Sequence, residues 1–225
     1  MVSAIIVAAG KSERMGGGAD KAFLNLGPKP VVAWSLLAFE KNEDIDSIVL
    51  VVRKDQITAA KAVARMFGIS KLAKVVAGGT RRQDSVQIGL KEVDSDTRIV
   101  VVHDGARPCV GQEIISDVVK GARRGAASVA GCRIRDAIKI VEKGITVSST
   151  VDRSKYWAVQ TPQAFPFRML RAAYAAVEAG GKEVFDDAQA VELSGEAVKI
   201  CESDKPNIKI TTPEDLQVAA ALLKL

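Results

Sequence analysis

The chain has 225 residues, of which 48% are apolar and 26% charged, and a net charge of +5. That balance excludes a disordered chain and gives enough length for a full hydrophobic core. No apolar run approaches the ~20 residues that cross a bilayer, and aromatics at 4% leave few rings for stacking nucleic-acid bases.

The expected partners therefore include no membrane and no nucleic acid, and the dispersed cations, with a pI near 9.1, fit small anionic ligands. Met1-Val2-Ser3-Ala4 carries no charged leader, which makes a cytoplasmic location the default expectation. Cys109, Cys132 and Cys201 are odd in number and form no C-x-x-C pair, so neither a zinc site nor a disulfide framework is predicted.

The first predicted strand, Ala4–Ala8, runs into the small-residue turn Ala8-Ala9-Gly10, followed by the cations Arg14 and Lys21. Small side chains let backbone N–H groups approach a ligand closely. The segment reads as a cradle for a nucleoside triphosphate, or more plainly as a strand-to-helix turn with solvated charges. It is not a P-loop, because Ile5 stands where that motif needs glycine, and Ser12 likewise breaks the dinucleotide fingerprint.

Next come a helix opened by Pro30 with Val32, Leu36 and Phe39 inward, a strand over Ser47–Arg53, and a helix capped by Asp55 with Ala59, Val63 and Met66 on one face. A strand over Lys74–Ala77 then enters Gly78-Gly79-Thr80-Arg81-Arg82-Gln83-Asp84-Ser85, where a helix begins with Val86, Ile88 and Leu90. Arg82 and Ser85 lie one turn apart and can face one ligand, or belong to a capped helix start.

The strand over Arg98–His103 ends in Asp104, Gly105 and Arg107. Ligands of doubly wound sheets bind at such carboxyl ends, where a carboxylate can share a metal with a phosphate and an arginine can grip an anion. A structural Asp104–Arg107 pair is the plainer reading. His103, the only histidine, reads as a core residue rather than a catalytic one. After a strand over Ala126–Ala130 the α/β rhythm breaks. Residues 135–141 and 145–151 flank Glu142-Lys143-Gly144 and predict a hairpin. Arg153 follows it, pairing with Asp152 or reaching a neighbouring subunit.

Helices are predicted over Phe167–Ala179 and Asp186–Leu193, with Asp186-Asp187 able to cap a helix or hold a metal. Short strands are predicted over Val198–Cys201 and Asn207–Ile210, with Lys209 either solvated or a phosphate ligand. A last helix is capped by Thr212, with Pro213 in its first turn. The fold class is α/β, a doubly wound and mostly parallel sheet of Rossmann-like nucleotidyltransferase type. Residues 1–225 form one domain in which 132–160 protrude as a β-hairpin arm whose expected cover is a second subunit.

Six blocks, in order, resemble the 2-C-methyl-D-erythritol 4-phosphate cytidylyltransferase family of non-mevalonate isoprenoid synthesis: Ala8-Ala9-Gly10 with Arg14, Met15 and Lys21; Gly78-Gly79 with Arg82, Asp84 and Ser85-Val86; His103-Asp104 with Ala106-Arg107-Pro108; Thr150-Val151-Asp152-Arg153; Thr161-Pro162-Gln163; and Asn207-Ile208-Lys209 with Pro213-Glu214-Asp215. The resemblance implies a homodimeric enzyme that makes CDP-methylerythritol and pyrophosphate from CTP and a polyol phosphate with Mg²⁺ or another divalent cation. It implies that Arg14 and Lys21 hold the triphosphate and stabilise charge at the α-phosphorus. The turn of Ala8, Ala9 and Gly10 contacts ribose and phosphates, with Gly105 beside the ribose. Gly79, Thr80 and Ser85 read cytosine, and Arg82 supports their loop. Asp104, Arg107, Thr161 and Lys209 hold the polyol phosphate or, for Asp104, the metal, and Arg153 binds the substrate phosphate from the partner subunit.

Three positions depart from the family pattern: Val7 for a frequent proline, Gly105 for a usual alanine, and Ala137 for a threonine on the arm. The last leaves open a related cytidylyltransferase acting on another polyol phosphate such as ribitol 5-phosphate. A non-catalytic nucleotide-binding protein is the alternative of a different class.

Overall fold

The computed structural model describes residues 1–10 and 20–225, so Arg14 lies outside the described residues. Strand β1 (Val2–Ala8) is buried along its length. After a single 3-10 turn at Lys21–Phe23 come a small hairpin, β2 (Asn25–Leu26) with β3 (Lys29–Pro30), helix α1 (Val31–Lys41) and strand β4 (Ser47–Val52). Then follow α2 (Ile57–Met66), β5 (Leu72–Ala77), α3 (Arg82–Glu92), β6 (Ile99–Asp104), α4 (Gln112–Arg123) and β7 (Ala127–Arg133). The arm carries β8 (Lys139–Ile140) and β9 (Ser149–Thr150). The chain closes with β10 (Trp157–Pro166), α5 (Phe167–Ala179), α6 (Asp187–Leu193), β11 (Val198–Glu202) and α7 (Pro213–Leu223).

Among the described residues seven strands make one sheet in the order β11-β7-β10-β6-β1-β4-β5. Every neighbouring pair is parallel except those made by β10, which runs antiparallel between β6 and β7. The sequence dictates this: β1, β4 and β6 are continuous Val/Ile-rich runs buried on both faces, as parallel strands covered by helices must be. One face packs Ile6, Leu36, Leu50, Val101 and Ile115 together; the other packs Ile5, Val51, Val86, Val102, Phe165 and Leu170. Each such side chain contributes roughly 1.5–3 kcal/mol by leaving water. A smaller cluster of Leu26, Val31, Ile210 and Ala219, flanked by Trp34 and Leu216, seats α7 on the β2–β3 hairpin.

Several expectations change. Helix α2 buries Ala60 and Ala64, while Ala59 faces solvent and Met66 is 75% exposed. Asp55 does not cap that helix; it pairs with Arg53 at 2.5 Å, and the chain first makes a 3-10 turn at Lys54–Gln56. The interval between His103 and Ala126, for which no helix was predicted, holds α4, whose Ile114, Ile115, Val118, Val119 and Ala122 face the core. The central strand β10 has no predicted counterpart. Proline is rare in central strands, and Pro162 lies within a register irregularity between Val159 and Gln163.

Residues Asn207–Ile210 are not a strand; Ile210 N–H donates instead to the carbonyl of Ala106. The arm's ladder is two residues per strand, Lys139 opposite Thr150 and Ile140 opposite Ser149, far shorter than the predicted hairpin. A ribbon exposed on both faces has no core side to hold a longer register.

Candidate active site

Parallel β1 and β6 are neighbours with Val7 opposite Asp104, so their carboxyl ends deliver the Ala8-Ala9-Gly10 turn and the Asp104–Arg107 loop to the same edge of the sheet. Gly105 N–H donates to the Val7 carbonyl at 2.8 Å, locking one loop to the other strand. From the opposite side comes the loop after β5. A Cβ on Gly78 would stand 2.4 Å from the Ala9 Cβ and 2.7 Å from Ser85 Oγ, so only glycine lets the two loops touch. Between them lies a cleft of about 160 Å³, floored by Ala8, Ala9 and Gly10 and walled by Thr80, Asp104 and Lys209.

Ser85 Oγ accepts from Gly79 N–H at 3.1 Å and donates to the Arg81 carbonyl at 3.2 Å, so the serine organises the loop that lines the cleft. Helix α3 starts at Arg82, with Arg81 as its N-cap. Asp84 accepts from Arg81 N–H and pairs with the Arg81 guanidinium at 2.7 Å. Lys21 opens its 3-10 turn at the cleft, and Asp20 caps that turn by accepting from Ala22 N–H. Burial pushes the Asp20 carboxyl up.

Asp104 is the electrostatic centre. Its Oδ1 accepts from Arg82 Nε at 3.0 Å, its Oδ2 lies 2.6 Å from Lys209 Nζ, and Arg107 Nε stands 3.8 Å away. Burial alone would raise this carboxyl, but Arg82, Lys209 and Arg107 more than offset it and hold Asp104 well below the usual carboxylate range. Burial lowers Arg107, whose Nη1 donates to the Asn207 carbonyl at 2.7 Å.

Arg82 also donates to Asp187 at 2.8 Å, and Tyr174 donates its hydroxyl proton to the other Asp187 oxygen at 2.6 Å. Burial would lower Arg82, but the two aspartates keep it well above its ordinary value. Three cations thus face two carboxylates, and the cleft lining adds Lys21 and Asp20, one charge of each sign. The surplus suits an anion.

Of the remaining candidates, Gly105 packs beneath Ala8, where an added Cβ would lie 3.1 Å from the Ala8 Cβ. Thr161 is buried behind Asp104, its Oγ1 accepting from Asp104 N–H at 3.0 Å. Arg153 sits on the arm, donating to the Arg135 carbonyl, in a groove with Arg133 and Arg135. His103 is fully buried and packs against Phe39, the rings tilted at 45° with centroids 5.0 Å apart. Lys209, read from sequence as solvated or phosphate-binding, pairs with Asp104. Sequence reasoning missed the Asp187–Tyr174 support and the Asp20 cap. The Asp186-Asp187 doublet was the available signal: Asp186 caps α6 by accepting from Gln189 N–H, leaving Asp187 to the arginine.

A mixed sheet with a cation-rich cleft at the carboxyl ends of its parallel strands defines an α/β phosphate-handling protein. The family profile described as IspD, 2-C-methyl-D-erythritol 4-phosphate cytidylyltransferase, matches residues 2–225. The protein of that name from Alkaliphilus oremlandii is 40% identical over 223 residues, covering 99% of this chain and 94% of its own length. Its namesake from Geobacillus kaustophilus is 42% identical over 220 residues, covering 98% and 96%. The crystal structure of 4-diphosphocytidyl-2C-methyl-D-erythritol synthase from Anaerococcus prevotii aligns with a TM-score of 0.88 and 32% identity, over 100% of this chain and 96% of that one. The chain belongs to the 2-C-methyl-D-erythritol 4-phosphate cytidylyltransferase family.

Proposed function

We propose that the protein transfers the cytidylyl group of CTP to 2-C-methyl-D-erythritol 4-phosphate and releases pyrophosphate. The observation that carries this reading is the grouping of Arg82, Arg107 and Lys209 around Asp104, beside a backbone-floored cleft that Lys21 lines. An oxygen of the polyol phosphate attacks the α-phosphorus of CTP. A new P–O bond forms, the bond to the bridging oxygen breaks, and pyrophosphate leaves with that electron pair. The attacking oxygen is already anionic near neutral pH, so no general base is needed. The obstacle is repulsion between two anions and the charge that grows on the five-coordinate phosphorus.

Lys21 and Arg14 would meet the triphosphate, while Lys209 and Arg107 would hold the incoming phosphate. Fixed cations in a partly dry cleft need no reorganisation as charge develops, and such terms are worth roughly 3–4 kcal/mol per well-placed donor. Asp104 keeps Lys209 and Arg82 from repelling one another. Gly79, Thr80 and the Ser85-braced loop would read the cytosine edge.

The residues present suit a divalent cation, Mg²⁺ or another, that arrives with the triphosphate. Asp104 accepts one bond at each oxygen and retains further lone pairs. Among the described residues no group of three His, Cys, Asp or Glu side chains could cage a metal unaided. That fits an ion held by one carboxylate and the phosphates. When bound it would supply Lewis-acid neutralisation of phosphate charge.

The arm exposes Ile140, Val141, Ile145 and Val147, with Ile145 97% exposed. We propose that a second copy of this chain covers it and that Arg153 grips the substrate phosphate in the partner's cleft.

The test is pyrophosphate release with each of four nucleotides, with methylerythritol phosphate, with ribitol 5-phosphate, and with neither. Release that needs CTP and methylerythritol phosphate together is expected. Equal rates with ribitol 5-phosphate would move the assignment to a related cytidylyltransferase. The Lys21→Ala variant should lose at least about 100-fold in turnover, the order seen when one charge-stabilising donor is removed, with an unchanged circular dichroism spectrum. Near-normal turnover in that variant would overturn the role given to Lys21.

A further inference from the structure

We infer that His103 is a positioning residue of the transfer reaction, acting as a fixed bridge, with its proton on Nε2, that sets the Asp104–Arg107 loop. The inference rests on the cytidylyl-transfer reading above. Its basis is proton bookkeeping at one ring.

His103 is fully buried at the end of β6. Its Nε2 lies 3.3 Å from the Arg107 carbonyl. A carbonyl only accepts, so the proton must be on Nε2. The other ring nitrogen, Nδ1, is the one acceptor within hydrogen-bond reach of the Thr161 hydroxyl among the described residues, so it carries no proton. Thr161 Oγ1 lies 3.2 Å from that Nδ1 and also accepts from Asp104 N–H at 3.0 Å. The threonine proton therefore points to the histidine.

The resulting chain has one direction: Asp104 N–H to Thr161 Oγ, Thr161 O–H to His103 Nδ1, and His103 Nε2–H to the Arg107 carbonyl. It begins and ends on the two ends of the Asp104–Arg107 loop, the residues that the reading above places at the substrate phosphates. Further bonds hold what lies between. Ser35 Oγ lies within hydrogen-bond distance of the Gly105 and Arg107 carbonyls, at 3.1 and 3.3 Å, and Ile210 N–H donates to Ala106 at 2.8 Å. The Thr161 hydroxyl is thus engaged inside the protein, and the Thr161 carbonyl accepts from Asn207 Nδ2 at 2.7 Å. Thr161 then serves the reaction by holding Asp104 rather than by touching substrate.

Two measurements test this. His103 is the only histidine in the chain, so its ring nitrogens give a single unambiguous imidazole ¹⁵N spectrum. The Nε2-protonated pattern is expected, and an Nδ1-protonated or charged ring would overturn the inference. The second is kinetic. His103→Leu removes both bonds, His103→Asn keeps an acceptor for Thr161, and His103→Gln keeps a donor for Arg107. Assayed well below their melting temperatures, kcat should fall about 10- to 100-fold in the leucine variant, the penalty of an ångström-scale misplacement. The loss should be smaller in the other two, with KM for CTP changed less than threefold in all.

A kcat unchanged in the folded variants, with only the melting temperature lowered, would show a purely structural histidine. Should His103→Leu not fold, the spectrum and the asparagine and glutamine variants still decide. The unsubstituted enzyme separates this inference from the one beneath it. If it transfers no cytidylyl group, the functional reading fails; if it does and the variants match it, only the histidine bridge fails.

Discussion

His103 shows how a single side chain can carry a measurable load away from the chemistry. Burial pushes its pKa down from the ordinary 6.5 to about 3. The sign follows directly. The folded ring binds no proton where the unfolded ring does, so its contribution is full above the unfolded pKa and is lost as pH falls toward the folded one. From pH 7 to 5.5 the loss is about 1 kcal/mol for one histidine with an unfolded pKa of 6.5. Asp104, whose pKa is held low, loses its own contribution only below the ordinary carboxylate range. Urea denaturation at the two pH values should show the drop, and it should vanish in His103→Asn. An equal drop in that variant would assign the effect to some other group.

Helix α3 links the buried sheet to the cleft. A Cβ on Gly89 would fall 2.5 Å from Ile5 Cγ2, so the helix lies closer on β1 than any side chain permits. Two effects compete in Gly89→Ala. Helix propensity favours alanine by about 1 kcal/mol, whereas overpacking a tight core costs about 1–3 kcal/mol. Ile5 is fully buried with nowhere to retreat, so overpacking should win, with net destabilisation of up to about 2 kcal/mol in urea titrations. Because the first turn of α3 carries Arg82 and Ser85, KM for CTP should rise as well. A variant as stable as the parent would mean that the helix can slide without cost.

The sequence exposes some elements better than others for reasons visible here. Buried strands β1, β4 and β6 announce themselves as Val/Ile runs, and α7 as Thr212-Pro213 with Asp215, which accepts from Thr212 N–H at 2.9 Å. The candidates Ala8, Asp104 and Lys209 are legible because a strand end fixes where a side chain or turn must lie. What the sequence hides is set by distant partners. Nothing local tells that Asp187 meets Arg82 across 105 positions, or that Pro162 sits in a central strand. Nor could alternation tell that the arm's ladder stops after two residues, since that depends on what its exposed apolar side chains meet.

Assembly is where the arm and the cleft are joined. Arg153 lies on the arm beside Arg133 and Arg135, and does not line its own chain's cleft. If the proposed dimer exchanges Arg153 between subunits, each complete site draws Lys21 from one chain and Arg153 from the other. Lys21→Ala and Arg153→Ala homodimers would then each lack one component at both sites. After subunit exchange, half of the dimers are mixed, and in each mixed dimer one site regains both groups while the other loses both. Activity should recover to about one quarter of the parental value under random reassortment. If Arg153 served its own chain's cleft, every site in the mixture would still lack one group and no activity would return. Replacing Ile145, 97% exposed, with aspartate should weaken association and reduce turnover together, measured by sedimentation and by pyrophosphate release across a dilution series. Turnover independent of protein concentration through the dissociation range would exclude a shared site, because a residue that works in a neighbour's cleft cannot act once the neighbour has left.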